Sequence, residues 1–405
     1  MKYKSKKKPE RALACLLAVL LVFSLTACES YKAFKAAFID PPPKIESFKI
    51  GILEPLTGAD AEGAKAELEG IELAFENFPN IGGVPVELVY GDNQSDVSVC
   101  ASAAQNLIDA GCKFIIGSYK SVLTLAASDI IKEARIPAIS VTNTNPIITS
   151  TNNWYFRVCY IDSYEGKAAA DFVLNSLNTS SAAILTIEGN DYAQAMADEF
   201  KAAMGNDDIP QIKITKDDPD YYSYYMMLDL YKPDVVFFPS SLANGAERIA
   251  QSREEGFNFK FLGTKNWNGI TEDDVYYTMD FDPKAKISEV TQIFRNAYAE
   301  KFGKEKTPSD AAALGFDAYL LVREAVNKVG TDATNFDYRR ALSEIDGMQG
   351  ATGIFTMDGS GDPIKDILIE HFKDGDFSAV YTVEPERSSR TEEETQPDGS
   401  DTKKN

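Results

Sequence analysis

The chain has 405 residues, of which 44% are apolar, one histidine, five cysteines and a formal net charge of −21. That charge argues against a nucleic-acid partner, because a polyanion would be repelled, and the lone His371 forms no cysteine and histidine cluster with the spacing of a zinc site. At this length two domains are expected rather than one.

A basic start at Lys2, Lys4, Lys6, Lys7, Lys8 and Arg11 leads into an apolar run over 13–25 and then Leu25-Thr26-Ala27-Cys28. The run is too short and too N-terminal to favour a spanning helix. It resembles a bacterial lipoprotein signal, which implies that Cys28 is lipidated and begins the mature chain. The alternative is an ordinary secretory signal with a chance cysteine, and either one sends the protein out of the cytoplasm. Cleavage there removes six basic residues and one acidic one, leaving about −26. Residues 29–45 end in Pro41-Pro42-Pro43 and read as a stiff tether.

A strand over 48–53 runs into Glu54-Pro55-Leu56-Thr57-Gly58, and a helix over 64–77 follows with Leu68, Ile71, Leu73 and Phe75. Next come a strand over 84–90, opened by Gly82-Gly83 and ended by Asp92-Asn93, and a helix over 97–110. Cys100 and Cys112 fall at opposite ends of that helix, beyond disulfide reach. With Cys159 they read as small buried residues. The stretch 113–146 is the most informative part of the chain. Phe114-Ile115-Ile116 is ended by Gly117 and a hydroxyl-rich turn, after which Val122, Leu125, Ala126, Ile130 and Ala134 recur with helical spacing. A second strand over 137–141 spills into Thr142, Asn143, Thr144 and Asn145 before Pro146.

This strand and helix alternation predicts a parallel, doubly wound sheet. Ligands bind such sheets at the carboxyl ends of the strands, beside helix N-termini that favour anions. Ser118, Ser121, Thr142 and Thr144 fall together at that edge. Two readings of Ser121 and Thr144 stay open: they cap helices, or they belong to a carboxylate site.

A change of pattern at Trp154-Tyr155-Phe156-Arg157-Val158 precedes a second unit. It has a helix over 164–177, a strand over 182–187 ending in Glu188-Gly189-Asn190-Asp191-Tyr192, and a helix over 193–204. Strands over 210–214 and 235–238 flank an aromatic-rich helix over 221–231, whose helical spacing assigns its 221–227 cluster to core and interface. A last strand over 259–262 enters the loop Gly263-Thr264-Lys265-Asn266-Trp267. Helices over 288–302, 308–329 and 338–345 follow, then a turn-rich piece over 350–362 and a strand over 367–372. The all-polar stretch 386–405 is expected to be disordered. No Gly-x-Gly-x-x-Gly follows a strand and no Gly-x-Ser-x-Gly elbow occurs, so no enzyme activity and no cofactor is expected.

From Phe48 to about Val383 the chain resembles a type I periplasmic solute-binding protein of the leucine/isoleucine/valine-binding family. The resemblance rests on Pro55-Leu56-Thr57-Gly58, on Ile115-Ile116-Gly117 followed by Ser121 and Thr124, and on Ile139-Ser140 followed by Thr144-Asn145-Pro146. Phe156-Arg157, Tyr192, Leu262-Gly263 with Trp267, and Gly315-Phe316-Asp317-Ala318 complete it. It implies an α/β fold of two doubly wound parallel-sheet lobes that close on a ligand about a three-crossover hinge. The crossovers would fall near Ile161, Ile287 and Gly347. That divides the chain into 46–162 plus 287–346 for the first lobe and 163–286 plus 347–385 for the second.

The resemblance further implies that Ser121, Thr142 and Thr144 hold a ligand's carboxylate and amino group, with Tyr192, Ser241 and Lys265 reaching across from the second lobe. Two positions depart from the family pattern. Members that bind α-amino acids usually carry an acid where this chain has Lys265, and an aromatic residue before Gly63 where it has Glu62. Glu62 and Lys265 are therefore expected either to recognise the ligand in a rearranged way or to pair across the cleft; the other reading is a ligand that is not a branched-chain amino acid and carries a second anionic or polar group meeting Lys265 or Lys120. A pocket wall often supplied by phenylalanine falls at Ala311. Implied partners are a small amino acid or related carboxylate, the permease subunits of an ATP-driven importer, and the membrane through the lipid. The protein is expected to be monomeric. A receptor that presents its ligand to a membrane signalling protein is the other class with this signature.

Overall fold

The computed structural model describes residues 46–215, 218, 221–284 and 288–385. The signal with Cys28, the tether, the crossover at Ile287 and the tail lie outside the described residues.

The first sheet is built from β1 (Phe48–Glu54), β2 (Asn80–Ile81), β3 (Val84–Asp92), β4 (Phe114–Gly117), β5 (Ala138–Ser140) and β6 (Tyr155–Arg157), in the order β2-β3-β1-β4-β5-β6. All neighbours are parallel except β2 with β3. Ile52 lies opposite Ile116, and Ile116 opposite Ile139. Helices α1 (Ala61–Asn77), α2 (Val97–Asp109) and α3 (Ser121–Ala134) connect the strands, with a single turn α4 (Ile147–Ser150) before β6. Helices therefore cover the central strands, which is why β4 and β5 are buried at every residue and read as unbroken apolar runs. The strand order reverses between β1 and β4, which opens a crevice at their carboxyl ends.

The chain then builds a second sheet. Helix α5 (Asp162–Asp171) passes into a π-helical turn (Phe172–Ser176), so the single helix predicted over 164–177 has two geometries. β7 (Ala182–Ile187), α6 (Asp191–Met204), β8 (Gln211–Ile214), α7 (Tyr221–Tyr231), β9 (Val235–Phe237), α8 (Leu242–Glu254), β10 (Phe261–Gly263) and β11 (Val275–Met279) follow. The sheet order is β16-β15-β11-β10-β9-β7-β8. Here β15 (Ile367–Lys373) and β16 (Asp376–Val383) pair antiparallel. The strand predicted over 259–262 is thus not the last of its sheet. Five residues set between Asp274 and Asp280 carry too short a pattern to reveal β11. Within α7 only Tyr225 and Leu228 are buried, while Tyr222, Met226 and Leu230 are exposed.

Helices α9 (Glu289–Phe302), α10 (Asp310–Val329) and α11 (Asn335–Ser343) return to the first core through Phe294, Phe316, Leu321 and Tyr338. A small antiparallel sheet of β12 (Met348–Gly350), β13 (Gly353–Met357) and β14 (Pro363–Lys365) comes next. Met348, Ala351, Phe355 and Met357 pack into the first core, although the sequence reading gives this stretch to the second lobe. The apolar side chains of β12 and β13 decide the matter, and the chain rejoins the second sheet only at β15.

Two features hold this architecture in register. Lys365, 2% exposed, pairs with Asp280 at 3.0 Å and donates to the Val158 carbonyl at 3.2 Å and to Thr352 Oγ1 at 2.8 Å. One ammonium therefore binds all three passages of the chain between the sheets. The second feature is backbone contact between α1 and α10. A Cβ at Gly70 would lie 1.9 Å from the Ala312 carbonyl oxygen, and one at Gly315 would lie 2.2 Å from that of Glu67. Only glycine permits this approach. Gly70→Ala should cost about 2–3 kcal/mol of stability by forcing the helices apart. An unchanged urea midpoint would show that the contact is slack.

Candidate functional site

A cleft of about 440 Å³ lies at the carboxyl ends of β4 and β5 and is lined from both sides. The first sheet contributes Tyr119, Ser121, Thr142, Asn143 and Thr144, and the loop after β10 contributes Lys265, Asn266 and Asn268. Asp280, which follows β11, and Asp310 with Ala311 at the start of α10 complete it. Larger hollows of about 580 and 680 Å³ elsewhere take no residue from the ends of β4 or β5.

Local folding explains why the loops after β4 and β5 face the cleft. Lys120, with φ of 66°, turns the chain into α3 and occupies the cap position without a side-chain cap bond, so Ser121 is the first helical residue. Thr144 caps no helix either: Pro146 precedes α4, and Asn145 Oδ1 accepts the Ile147 N–H at 3.0 Å. Of the two readings, capping is therefore not what these hydroxyls do. Buried Asn143 ties the loops together by donating to the Ser118 carbonyl at 2.6 Å and to Thr124 Oγ1 at 2.8 Å. Ser118 is fully buried in that network. Arg157, fully buried, pairs with Asp362 at 2.6 Å and donates to the Asn143 and Asn145 carbonyls at 2.7 and 3.0 Å. With the Asn143 and Asn145 carbonyls held behind them, Thr142 and Thr144 line the cleft.

Under the floor sits a pair of buried carboxyls. Thr142 donates its hydroxyl to Glu67 Oε1, and Glu54 Oε2 accepts the Tyr119 N–H at 2.7 Å. Burial pushes Glu67 up to about 7, against the lowering effect of Thr142, Glu54 and Lys265. Glu54 is pushed well above the carboxylate range by burial first and by the charge of Glu67 second. The two carboxyls are neighbours, and a charge on Glu67 makes Glu54 harder to ionise. Because the Thr142 proton is committed to Glu67, Thr142 offers lone pairs to the cleft.

Lys265 is neither a free loop lysine nor a partner of Glu62. Its side chain is 15% exposed, its Nζ lies 3.3 Å from Asp280 Oδ2 and 4.6 Å from the centre of the Tyr160 ring, and its main-chain N–H donates to Glu165 Oε1 at 2.8 Å. Burial works against the ammonium as the largest single effect, but Asp280, Cys159, Glu165 and Asp310 together outweigh it, so the charge is held above the ordinary lysine range. Lys365 and Lys265 together keep Asp280 below its usual range despite burial. Tyr192 stands behind the lining: its hydroxyl donates to Glu165 Oε2 at 3.4 Å and accepts from Asn266 Nδ2 at 3.3 Å.

The structure thus brings Ser121, Thr142, Thr144 and Lys265 to one cleft, with Tyr192 adjoining. It does not bring Ser241 or Glu62. Ser241 caps α8 by accepting the Asn244 N–H at 3.3 Å. Glu62 is exposed in the first turn of α1 and pairs with Lys65 at 3.7 Å, while the Tyr119 ring lies over Gly63. The expected Glu62 and Lys265 pair is replaced by Asp280 with Lys265. Sequence reading misses Tyr119, Glu67, Glu165, Asp280 and Asp310, whose partners are scattered along the chain. A run of hydroxyl and ring residues after β4 is the only local signal for any of them, at Tyr119. Cys100, Cys112 and Cys159 are free and buried.

The family described as periplasmic binding protein matches residues 47–375. A Leu/Ile/Val-binding protein homolog of Brucella melitensis is 25% identical over 332 residues, covering 77% of this chain and 88% of that protein. A leucine binding protein of Thermotoga maritima has a TM-score of 0.71 at 26% identity, covering 84% of this chain and 99% of its own. The branched-chain amino acid transporter substrate binding protein of Streptococcus pneumoniae, solved with isoleucine, is similar in fold. Its TM-score is 0.71 at 23% identity, over 84% of this chain and all of that one. These relatives are binding proteins, not enzymes.

The floor carboxyls carry a pH signature. Glu67 has a folded pKa of about 7, above its unfolded value near 4.5, so its contribution is full below the unfolded pKa and is lost as pH rises through the folded one. Glu67→Gln, which still accepts from Thr142, should remove up to roughly 3 kcal/mol of the fall in stability between pH 4.5 and 7. Denaturant titrations of both proteins across that range check it. Parallel curves would show Glu67 to be ionised throughout.

Proposed function

The chain belongs to the periplasmic binding protein family, and from that premise we propose that it captures an amino acid, branched-chain or related, or a similar small carboxylate outside the cytoplasm. In this reading it is a lipid-anchored receptor, held by Cys28, that delivers its ligand to the permease subunits of an ATP-driven importer. One observation carries the ligand assignment: residues from both sheets, Ser121, Thr142 and Thr144 on one side and Lys265 and Asn266 on the other, line a single cleft at the strand ends. The first-turn hydroxyl of α3 and the N–H groups beside it suit a carboxylate. Ser121, Thr142, Thr144 and Lys265 are the proposed contacts, with Tyr192 supporting the second side. Binding then needs only that the liganded arrangement be favoured by groups from both sides. The basic start, apolar run and Leu-Thr-Ala-Cys sequence support the anchor and the extracytoplasmic location.

A thermal-shift screen against the twenty amino acids, keto acids and dicarboxylates tests the ligand class. A ligand at 100 to 1,000 times its Kd stabilises by about 3–4 kcal/mol, a shift of several degrees. No shift with any amino or keto acid would overturn the reading. Ser121→Ala should weaken binding of the best ligand by about 1–3 kcal/mol with an unchanged melting temperature of the free protein. Normal affinity in that variant would move the carboxylate elsewhere. For the anchor, labelled fatty acid should enter the wild-type chain and not Cys28→Ala, which should leave the membrane fraction.

A further inference from the structure

The hydrogen-bonding groups around the cleft are mostly committed within the protein. Lys265 is paired with Asp280, and Lys120 is paired with Asp60. Thr142 donates to Glu67. Among the acids that line the cleft, Asp310 differs in having no lysine paired with it among the described residues. It opens α10, lines the cleft and is 9% exposed. Its Oδ2 accepts the Asp280 N–H at 3.2 Å, whereas its Oδ1 is buried and has no hydrogen-bond partner among the described residues. A buried acceptor without a partner is costly. With both lysines paired, the group left to meet a ligand's charge at this part of the cleft is the Asp310 carboxyl, not a cation.

We infer that Asp310 receives the positively charged group of the ligand, an ammonium in the case of an amino acid, and so stands in for the acid that is missing at position 265. The inference rests on the proposed amino-acid reading. It places the ammonium between Asp310 Oδ1 and the lone pairs of Thr142, with the carboxylate toward Ser121. It also makes binding proton-linked. The charged groups facing Asp310 are Asp280, Glu370 and Lys265, and burial with the Asp280 charge holds its carboxyl well above the usual range. An arriving ammonium requires the carboxylate, and the proton leaves to solvent. Affinity for an ammonium ligand then falls as pH drops through the pKa of the free Asp310. A ligand with the same carboxylate and no ammonium escapes that penalty.

The test measures Kd for L-leucine and for its keto counterpart, 4-methyl-2-oxopentanoate, between pH 5 and 8 by titration calorimetry, in the wild type and in Asp310→Asn. In the wild type the preference for leucine over the keto acid should shrink steadily as pH falls. Asp310→Asn leaves Glu67 and Glu165 in place, so loss of the slope in that variant assigns it to Asp310 rather than to them. Asp310→Asn should bind leucine at least about tenfold more weakly, bind the keto acid as well as the wild type does, and lose the pH slope of the ratio. Leucine binding unchanged in Asp310→Asn would overturn the inference and leave the amino-acid reading intact. If the variant fails to fold, a flat wild-type ratio across the range overturns it alone. Binding of neither compound, nor of any amino acid, by the wild type would remove the underlying reading and this inference with it.

Discussion

The carboxylate of Asp280 is shared between two lysines, Lys365 at 3.0 Å on the side where the chain passes between the sheets and Lys265 at 3.3 Å on the side of the cleft. Two ammonium groups that are nearly or wholly withdrawn from water require counter-charge, and removing one member of such a set commonly costs about 3–5 kcal/mol. Asp280 cannot neutralise both alone. Lys365 completes its shell with Thr352 Oγ1 and the Val158 carbonyl, while Thr352 in turn donates to Asp317 Oδ2 at 2.6 Å. Glu165 lies near Lys265, accepts its N–H, and accepts the Thr278 hydroxyl. The junction of the two sheets and one wall of the cleft are therefore one charged network. Its members come from five separate parts of the chain.

A second constraint sets the opposite wall. The glycine contact between α1 and α10 brings helix backbones within van der Waals reach, and the side chains that flank it are Glu67 on α1 and Asp310 two residues before Ala312. Packing in the first core thus decides where two acids meet the cleft. Burial then decides their charge. Glu67 beneath Thr142 accepts the threonine's proton in a hydrogen bond, which leaves the threonine's lone pairs to the cleft. A hydroxyl at a strand end has no fixed sense of its own; the buried carboxyl behind it supplies one.

These couplings explain what the sequence could and could not disclose. The β4, α3 and β5 segment was legible because strand, hydroxyl turn and helix follow one another within some thirty residues, each with a local period. The fold class followed from the same alternation. That Ser241 and Glu62 do not line this cleft was not legible, because position near a strand end or helix start does not say which way a side chain faces. Ser241 spends its hydroxyl on its own helix, and Glu62 finds Lys65 one turn on. Glu165 and Lys265 are separated by 100 residues, and Thr278 lies 113 from Glu165. Contacts at such separations impose no pattern on their neighbours in sequence. The packing of Met348, Ala351, Phe355 and Met357 into the first core was illegible for a related reason: a short strand's apolar residues do not reveal which of two cores they enter.

Lys265 shows the same limit in its sharpest form. A lysine where the family resemblance implies an acid reads, residue by residue, as a reversal of charge and hence as a demand for a second anionic group on the ligand. The field at the cleft depends on the sum. Lys265 is offset by Asp280, and Glu165 and Asp310 add acceptors close by, so that the position contributes an internal ion pair rather than an exposed cation. What the substitution changes is the site of the ligand-facing acid. Moving it from the loop after β10 to the first turn of α10 also moves it from one sheet's loops to a helix packed against the other sheet, where it is held by the Gly70 and Gly315 contact. An acid there is more buried and holds its proton more tightly than one on a loop. The same ligand group would be met by a carboxyl that must first ionise, which makes recognition dependent on pH without any change in the shape of the cleft.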